Sequence, residues 1–378
     1  MSRPRASRTA ALAAVGVTGA LALTGCGIIE SITGPEPAER VRIATDRLAE
    51  ATEQSSTVRI TATEAQLEDL ARGPENDRLS DQEYADVKPF LDRLRESTFT
   101  TQATSTREGV PVADAQTPAD SDSAAAWAIS GDRMVELVEI GDHELYLRAD
   151  VLEVLRRTGT TDARRLADDL QSQIASTPSE LQWVVDLISG RWIGFDKALT
   201  TQFREEAQRQ AHVDAEALTP EERDRLRASI LENSDVTDLG GNRYEVKVHV
   251  KRVVEANRDL VDKLLQAQAE AEAIPSREAS TVDDLLPRLN DNTFDVIQEI
   301  DGETIKAVEV DPLQTADLVA PPEDAAQKDL DVLQHLRDSQ LPMRVEYGDA
   351  VDMITVPEGA TRITEEDLNS VAGGSATL

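Results

Sequence analysis

Two periods divide this chain. Apolar residues that recur at every second position predict strands, and those that recur at three- and four-residue intervals predict helices. The cleanest alternation lies at 244–251, where Tyr244, Val246, Val248 and Val250 oppose Glu245, Lys247, His249 and Lys251. That pattern predicts a strand with one buried and one wet face. Downstream, TFDVIQEI and ETIKAVEV flank Asp301-Gly302, a pair suited to a type I′ hairpin turn. LPMRVEYG alternates Leu341, Met343, Val345 and Tyr347, and residues 351–356 read as a further edge-like strand. Upstream, residues 57–61 and STFTTQATST at 97–106 read as strands. AAAWAIS, DRMVELVEI and HELYLRAD supply three more, the last two joined by Gly141-Asp142.

Helical blocks interrupt these runs. Residues 41–57 have a helical rhythm that sets Val41, Leu48 and Ala49 or Ala51 on one side. Ser80 with Glu83 forms a capping box ahead of Val87, Phe90, Leu91 and Leu94, and Pro89 predicts a kink or two short helices. VLEVLRR and ARRLADDLQSQI are helical. In TPSELQWVVDLISG, Thr177 is the expected N-cap, and Leu181, Val184, Val185 and Ile188 form the buried stripe. After a short strand in RWIGF comes a polar helical region over 196–213. Thr219-Pro220-Glu221-Glu222 then starts a helix running to about Glu232. NSDVTDLGGN is the most turn-rich break, and a long helix follows over 253–273. Antiparallel strand runs separated by blocks of helix predict an α+β fold, with a first half at 41–232 and a second at 243–378 that completes the same sheet.

The ends add a location. The first eight residues carry three arginines and no acid, and a soft apolar stretch runs from Thr9 to Thr24. A basic start, a short apolar region and small residues before a cleavage point describe a secretory signal. The stretch is too short for a bilayer span, which needs about 20 residues. It closes on Leu23-Thr24-Gly25-Cys26, and Cys26 is the one cysteine in 378 residues. This resembles the lipobox of bacterial lipoproteins, in which the peptidase cuts before the cysteine, here between Gly25 and Cys26. The resemblance implies a signal peptide at 1–25, a lipid-modified Cys26 carrying palmitate-like chains, and a short tether over 26–40. Two or more chains suffice for stable anchoring. The expected place is the outer, extracytoplasmic face of the cell membrane.

Net charge narrows the partners. The formal charge of −33 becomes −36 when three signal arginines are lost. Such a polyanion repels phosphate backbones, so no nucleic-acid partner is expected.

Candidate chemistry is sparse. His143, His212, His249 and His335 show no paired metal-ligand spacing. Asp235, Asp238 and Asn242, or Asn290, Asp291 and Asn292, offer oxygens for Ca²⁺ but match no EF-hand loop. There is no G-x-S-x-G, P-loop or dinucleotide fingerprint. The expectation is a non-enzyme with no catalytic residue, no metal and no cofactor.

Three stretches carry a family likeness: the lipobox with its spacer; VELVEIGDHELYLRADVLEVLRR with SGRWIGFD; and FDVIQEIDGETIKAVEVDPL with LPMRVEYGDAVDMITVP. Together they resemble actinobacterial lipoproteins built on the plan of the LolA/LolB and LprG/LppX carriers. Within them, Tyr146 to Asp150 and Gly190 to Asp196 match the soft strand motifs of that plan. The resemblance implies a strongly curved antiparallel sheet, a half-barrel, packed against helices that fill its concave side, with large helical insertions in this chain. It further implies a cavity wall drawn from Val135, Leu137, Leu145, Leu147, Trp192, Val246, Val248, Met343 and Val345. Two functions follow as expectations. The first is an anchored, non-enzymatic envelope protein that binds a protein partner or has a structural role. The alternative is a carrier of lipid or acylated ligands.

Overall fold

The computed structural model describes residues 36–74, 78–114, 120–141, 144–174, 176–178, 181–202, 218–271, 280–321, 325–348, 353–364 and 367. Cys26, Gly25 and the whole expected signal and most of the tether lie outside the described residues. Helix α1 (Pro37–Ala49) and strand β1 (Glu53–Ile60) come first, then α2 (Glu64–Arg72) and α3 (Asp81–Arg95). Strands β2 (Ser97–Ser105), β3 (Ser121–Ile129), β4 (Asp132–Ile140) and β5 (Glu144–Ala149) follow. Next are α4 (Val151–Thr158), α5 (Thr161–Ile174), α6 (Gln182–Ile188), β6 (Ile193–Phe195) and α7 (Pro220–Glu232). Strands β7 (Ser234–Gly240) and β8 (Arg243–Val248) precede α8 (Val250–Ala256), α9 (Arg258–Ala271) and α10 (Val282–Leu285). The chain finishes with β9 (Phe294–Asp301), β10 (Thr304–Val310), α11 (Thr315–Leu318), α12 (Gln327–Asp338), β11 (Met343–Gly348) and β12 (Thr361–Ile363).

These elements form two compact units. One takes Thr61–Ser80, Gln208–Tyr347 and the described part of Met1–Ala51; the other takes Thr52–Ile60, Asp81–Ala207 and Gly348–Leu378. The first holds strands in the order β11-β10-β9-β8-β7, and the second holds β12-β6-β5-β4-β3-β2-β1. The fold is mixed α+β, as the alternation of patterns implies. The expected LolA-like half-barrel is overturned, because neither row closes on itself or curls strongly. The physical reason lies in the register. Curling a sheet needs repeated bulges. Here Ser97–Ser105 pairs with Ser121–Ile129 along its whole length without a shift, β1 pairs with β2 likewise, and the shifts in β3–β4, β7–β8 and β9–β10 are single ones beside the turns.

In the five-stranded unit, α1 lies on β7, β9 and β10. Pro37 sits at its start, Glu39 in its first turn and Arg47 in its last, each matched to the helix dipole. Val41, Ala44, Thr45 and Ala49 form its buried stripe. Val41 and Ala44 have no exposed surface, and Arg40 reaches the Tyr244 hydroxyl at 3.4 Å. The sheet face beneath carries Tyr244 and Val246, with Val308, Val310 and Val345 also buried. Burying side chains of this size contributes about 1.5–3 kcal/mol each.

Turn chemistry departs from expectation in one respect. Asp301 pairs with Thr304, so Gly302 and Glu303 are the central residues of the β9–β10 turn. Gly302 has φ +62° and Glu303 does not take a positive φ, which fits a II′ rather than a I′ turn. The I′ pattern appears instead between β3 and β4, at Ser130 (φ 54°) and Gly131 (φ 88°).

Other local expectations shift in the same way. The turn-rich NSDVTDLGGN is strand β7, and its turn is confined to the Gly241-Asn242 end. Helix α3 runs as one element through Pro89. The predicted long helix at 253–273 breaks at Asn257, whose buried amide donates to Ser229 Oγ at 2.7 Å. Thr177 donates to the Gln173 carbonyl instead of capping, and α6 starts at Gln182. Residues 353–356 form no strand; the extra edge strand is β12, parallel to β6.

Candidate functional site

Among the described residues, the chemistry-bearing groups are engaged in structure. His143 and His212 lie outside the described residues. His249 precedes α8, and its Nε2 lies 2.8 Å from Asp235 Oδ2. His335 on α12 places Nε2 3.2 Å from the Leu70 carbonyl. Asp238 accepts from the Gly240 amide at 2.7 Å. Asn290 and Asn292 both donate to the Asp317 carbonyl at 2.9 Å, and Asp291 pairs with Lys251. These loops are therefore tied together by amide donors and ion pairs. Among the described residues, no group of three His, Cys, Asp or Glu is placed to hold a metal.

The nine residues of the expected cavity wall fall into three places. Val246, Val248, Met343 and Val345 share one face of the five-stranded unit. Cross-strand pairing sets Val246, Val296, Val310 and Met343 in one row, and Val308 beside Val345 in the next. Val246 and Val345 are buried, while Val248 and Met343 are half-buried.

Val135, Leu137, Leu145 and Leu147 share a face of the seven-stranded unit. Leu147 is opposite Ile193 and Leu145 opposite Phe195. They pack with Leu199, Ile363 and α6's Trp183 and Leu187 into a sealed cluster. Trp192 lies on the opposite face, with Ala124, Ala126, Val138 and Tyr146. Arg148 stands over its ring at 6.0 Å.

Away from the sealed end, the Leu145/Leu147 face is open. Val58, Phe99, Trp127 and Val135 are directly paired in that order across β1 to β4. Directly paired residues share a face. Phe99 is 47% exposed and Leu137 36%, and Val58, Trp127 and Val135 are half-buried. Helix α3 in the same unit leaves Phe90 46% and Val87 36% exposed. Sequence reasoning missed Phe99, Val58 and Trp127 as members of this row. Their only signal is that each is the large apolar residue at its position, and only the register lines them up.

The opposite face of the same strands is buried, and it includes an acid. Glu136 is 8% exposed, between Met134 and Val138. It is held by Arg133 at 2.9 Å and Arg148 at 3.1 Å, which offsets the cost of burying a carboxylate. The segment 353–360 covers this face. Met353, 6% exposed, packs on Ala124, Ala126, Val138 and Tyr146, with Ile354, Ala360 and Trp192 around it. Tyr146 donates to Glu144 at 2.5 Å, and Arg362 reaches the same carboxylate at 2.8 Å. The Tyr146 hydroxyl, and then Arg362, hold the Glu144 carboxyl below its ordinary value. Burial, followed by that hydrogen bond, pushes the Tyr146 phenol up.

In the five-stranded unit, the face opposite α1 is a ladder of charge. Arg344 meets Glu299 and Glu309 at 2.7 Å and Glu346 at 3.0 Å. Arg243 pairs with Glu309, and Lys247 with Glu245 and Asp295. The hydrogen bond that Arg344 donates to Glu299, outweighing burial, raises the guanidinium further above its usual range. No protein-family model matches this chain, and no curated protein matches it either.

Proposed function

We propose that this is a lipid-anchored envelope protein on the outer face of the cell membrane. It works by binding a protein partner through an apolar sheet face and has no catalytic chemistry of its own. The anchoring half of this reading rests on the amino-terminal pattern that ends at Cys26. The binding half rests on one observation, the half-exposed row Val58, Phe99, Trp127, Val135 with Leu137 beside it. Contiguous apolar surface left in water marks interaction sites in soluble domains. The chain's charge of −33 sets the rest of the partner's chemistry: an apolar ridge rimmed by basic side chains.

A second reading, an acylated ligand, is favoured by a specific feature. Leu137, Leu147 and Ile193 pair in order across β4, β5 and β6, so an apolar path leads from the open row into the sealed end. An acyl chain along it would gain about 0.8 kcal/mol per buried CH₂. A photo-crosslinking residue in place of Phe99 in the anchored protein separates the two. A protein adduct that Leu137→Asp removes supports the first reading. Acyl adducts on the anchor-free protein in native mass spectrometry, without a protein adduct, support the second. Neither kind of adduct would sink the binding role.

A further inference from the structure

Segment 353–363 is held like a bound peptide. It has no regular structure until its last three residues, which add β12 to β6 in parallel, whereas the other strand pairs of the seven-stranded unit are antiparallel. Its contacts are of two kinds. Apolar seats take the two ends: Met353 on the floor of Ala124, Ala126, Val138 and Tyr146, and Ile363, 2% exposed, beside Ile193 and Phe195. Polar groups read the backbone and flanks. The Met353 amide donates to Gln102 Oε1 at 2.9 Å, and the Thr361 amide to the Trp192 carbonyl at 3.0 Å. The Thr361 hydroxyl donates to Asp186 at 3.1 Å, and Arg362 pairs with Glu144 at 2.8 Å. Between the seats, Ile354 and Ala360 lie against the same floor, while residues 355, 356, 358 and 359 face water, with Val356 59% exposed. Main-chain bonds for affinity and side-chain seats for register are the pattern of recognition by strand addition. No hairpin turn fixes β12 against β6, so nothing local obliges this occupant to come from the same chain.

We infer that this groove is a peptide-binding site filled in cis by residues 353–363, and that its partner in trans is the same segment of a second copy. Two copies that exchange the segment form a symmetric pair in which each groove is filled as it is here. The occupant's chemistry is set by the seats: an unbranched apolar anchor, then a Thr-Arg-Ile triplet eight residues on. The exchange withdraws Met353 from the face opposite the Phe99 row and Ile363 from the sealed end beside Ile193 and Phe195, and Val58, Phe99, Trp127 and Val135 belong to neither seat, so it stands apart from the partner reading above.

The test uses the wild-type chain and a fluorescent synthetic peptide of residues 353–364. One-to-one, saturable uptake is expected, and a peptide carrying Met353→Asp should bind about tenfold more weakly or worse, having lost one buried apolar side chain. The chain alone should shift from monomer to dimer as its concentration rises, and excess wild-type peptide should reverse that shift. Failure to take up either peptide, or equal uptake of both, overturns the groove. Uptake by a chain that stays monomeric at every concentration overturns the second copy as its source.

Discussion

The two units each carry a sheet with one partly exposed face, and they finish that face differently. In the five-stranded unit, Arg344, Arg243 and Lys247 are threaded among five carboxylates, so water meets paired charge. In the seven-stranded unit, water meets Phe99 and Leu137. A charged ladder is stable in water and resists sheet-on-sheet association. An apolar row gains by being covered. The difference teaches where to look for function. The ladder needs no partner to complete it, whereas the apolar row is sealed at one end, under α6, and open at the other.

Four experiments test that contrast. Ile193 lies at the sealed end with no exposed surface. Ile193→Ala should cost about 3 kcal/mol of stability in denaturant titrations, because it leaves a cavity. A loss below about 1 kcal/mol would mean that the sealed end is as loose as the open one. In the ladder, Arg344→Ala strips the cation from three half-exposed carboxylates and should cost about 1–2 kcal/mol. Glu346→Gln should cost much less, since Arg344 keeps two partners.

At the open row, Phe99→Asp should change stability by no more than about 0.5 kcal/mol, while Leu137→Asp abolishes the adduct formed by the crosslinker at position 99. A large loss of stability would show that Phe99 is core rather than interface. The smallest effect is set by acid. Glu144 is held below its ordinary value in the fold, so its contribution is present above about pH 4.3 and is lost as pH falls through the folded value. Segment 353–363 should therefore exchange its amides faster relative to β3 and β4 below that pH. Glu144→Gln should remove the difference.

Much of the local structure was legible. Thr219, with its capping box to Glu222, starts α7 where the sequence predicts a helix. The alternation at 244–251 is strand β8 as far as Val248, with Tyr244 and Val246 buried, but Val250 and Lys251 already belong to α8. Failures came where tertiary partners changed a local preference. Residues 233–242 read as turn because Asn, Asp and Gly make up six of the ten, yet pairing with β8 makes 234–240 a strand. Asn257 breaks a helix because Ser229, far away in sequence, takes its amide. In β4, the apolar residues Val135 and Leu137 read as the inner set, but the buried set contains Glu136, because Arg133 and Arg148 arrive to pair with it. The candidate row was barely legible. Val58, Phe99 and Trp127 lie on three strands, and only cross-strand register sets them side by side.

By itself the sequence determined the mixed α+β class, most strand positions, and the acidity that disfavours phosphate backbones, because each of these follows from local periodicity or summed charge. Tertiary structure alone decided that the strand rows stay open, which face of β4 is buried, and that residues 353–363 fill a groove on strands hundreds of residues earlier. Those outcomes depend on register and on long-range partners. A one-residue change of register would reverse every side chain of a strand while leaving its sequence pattern untouched.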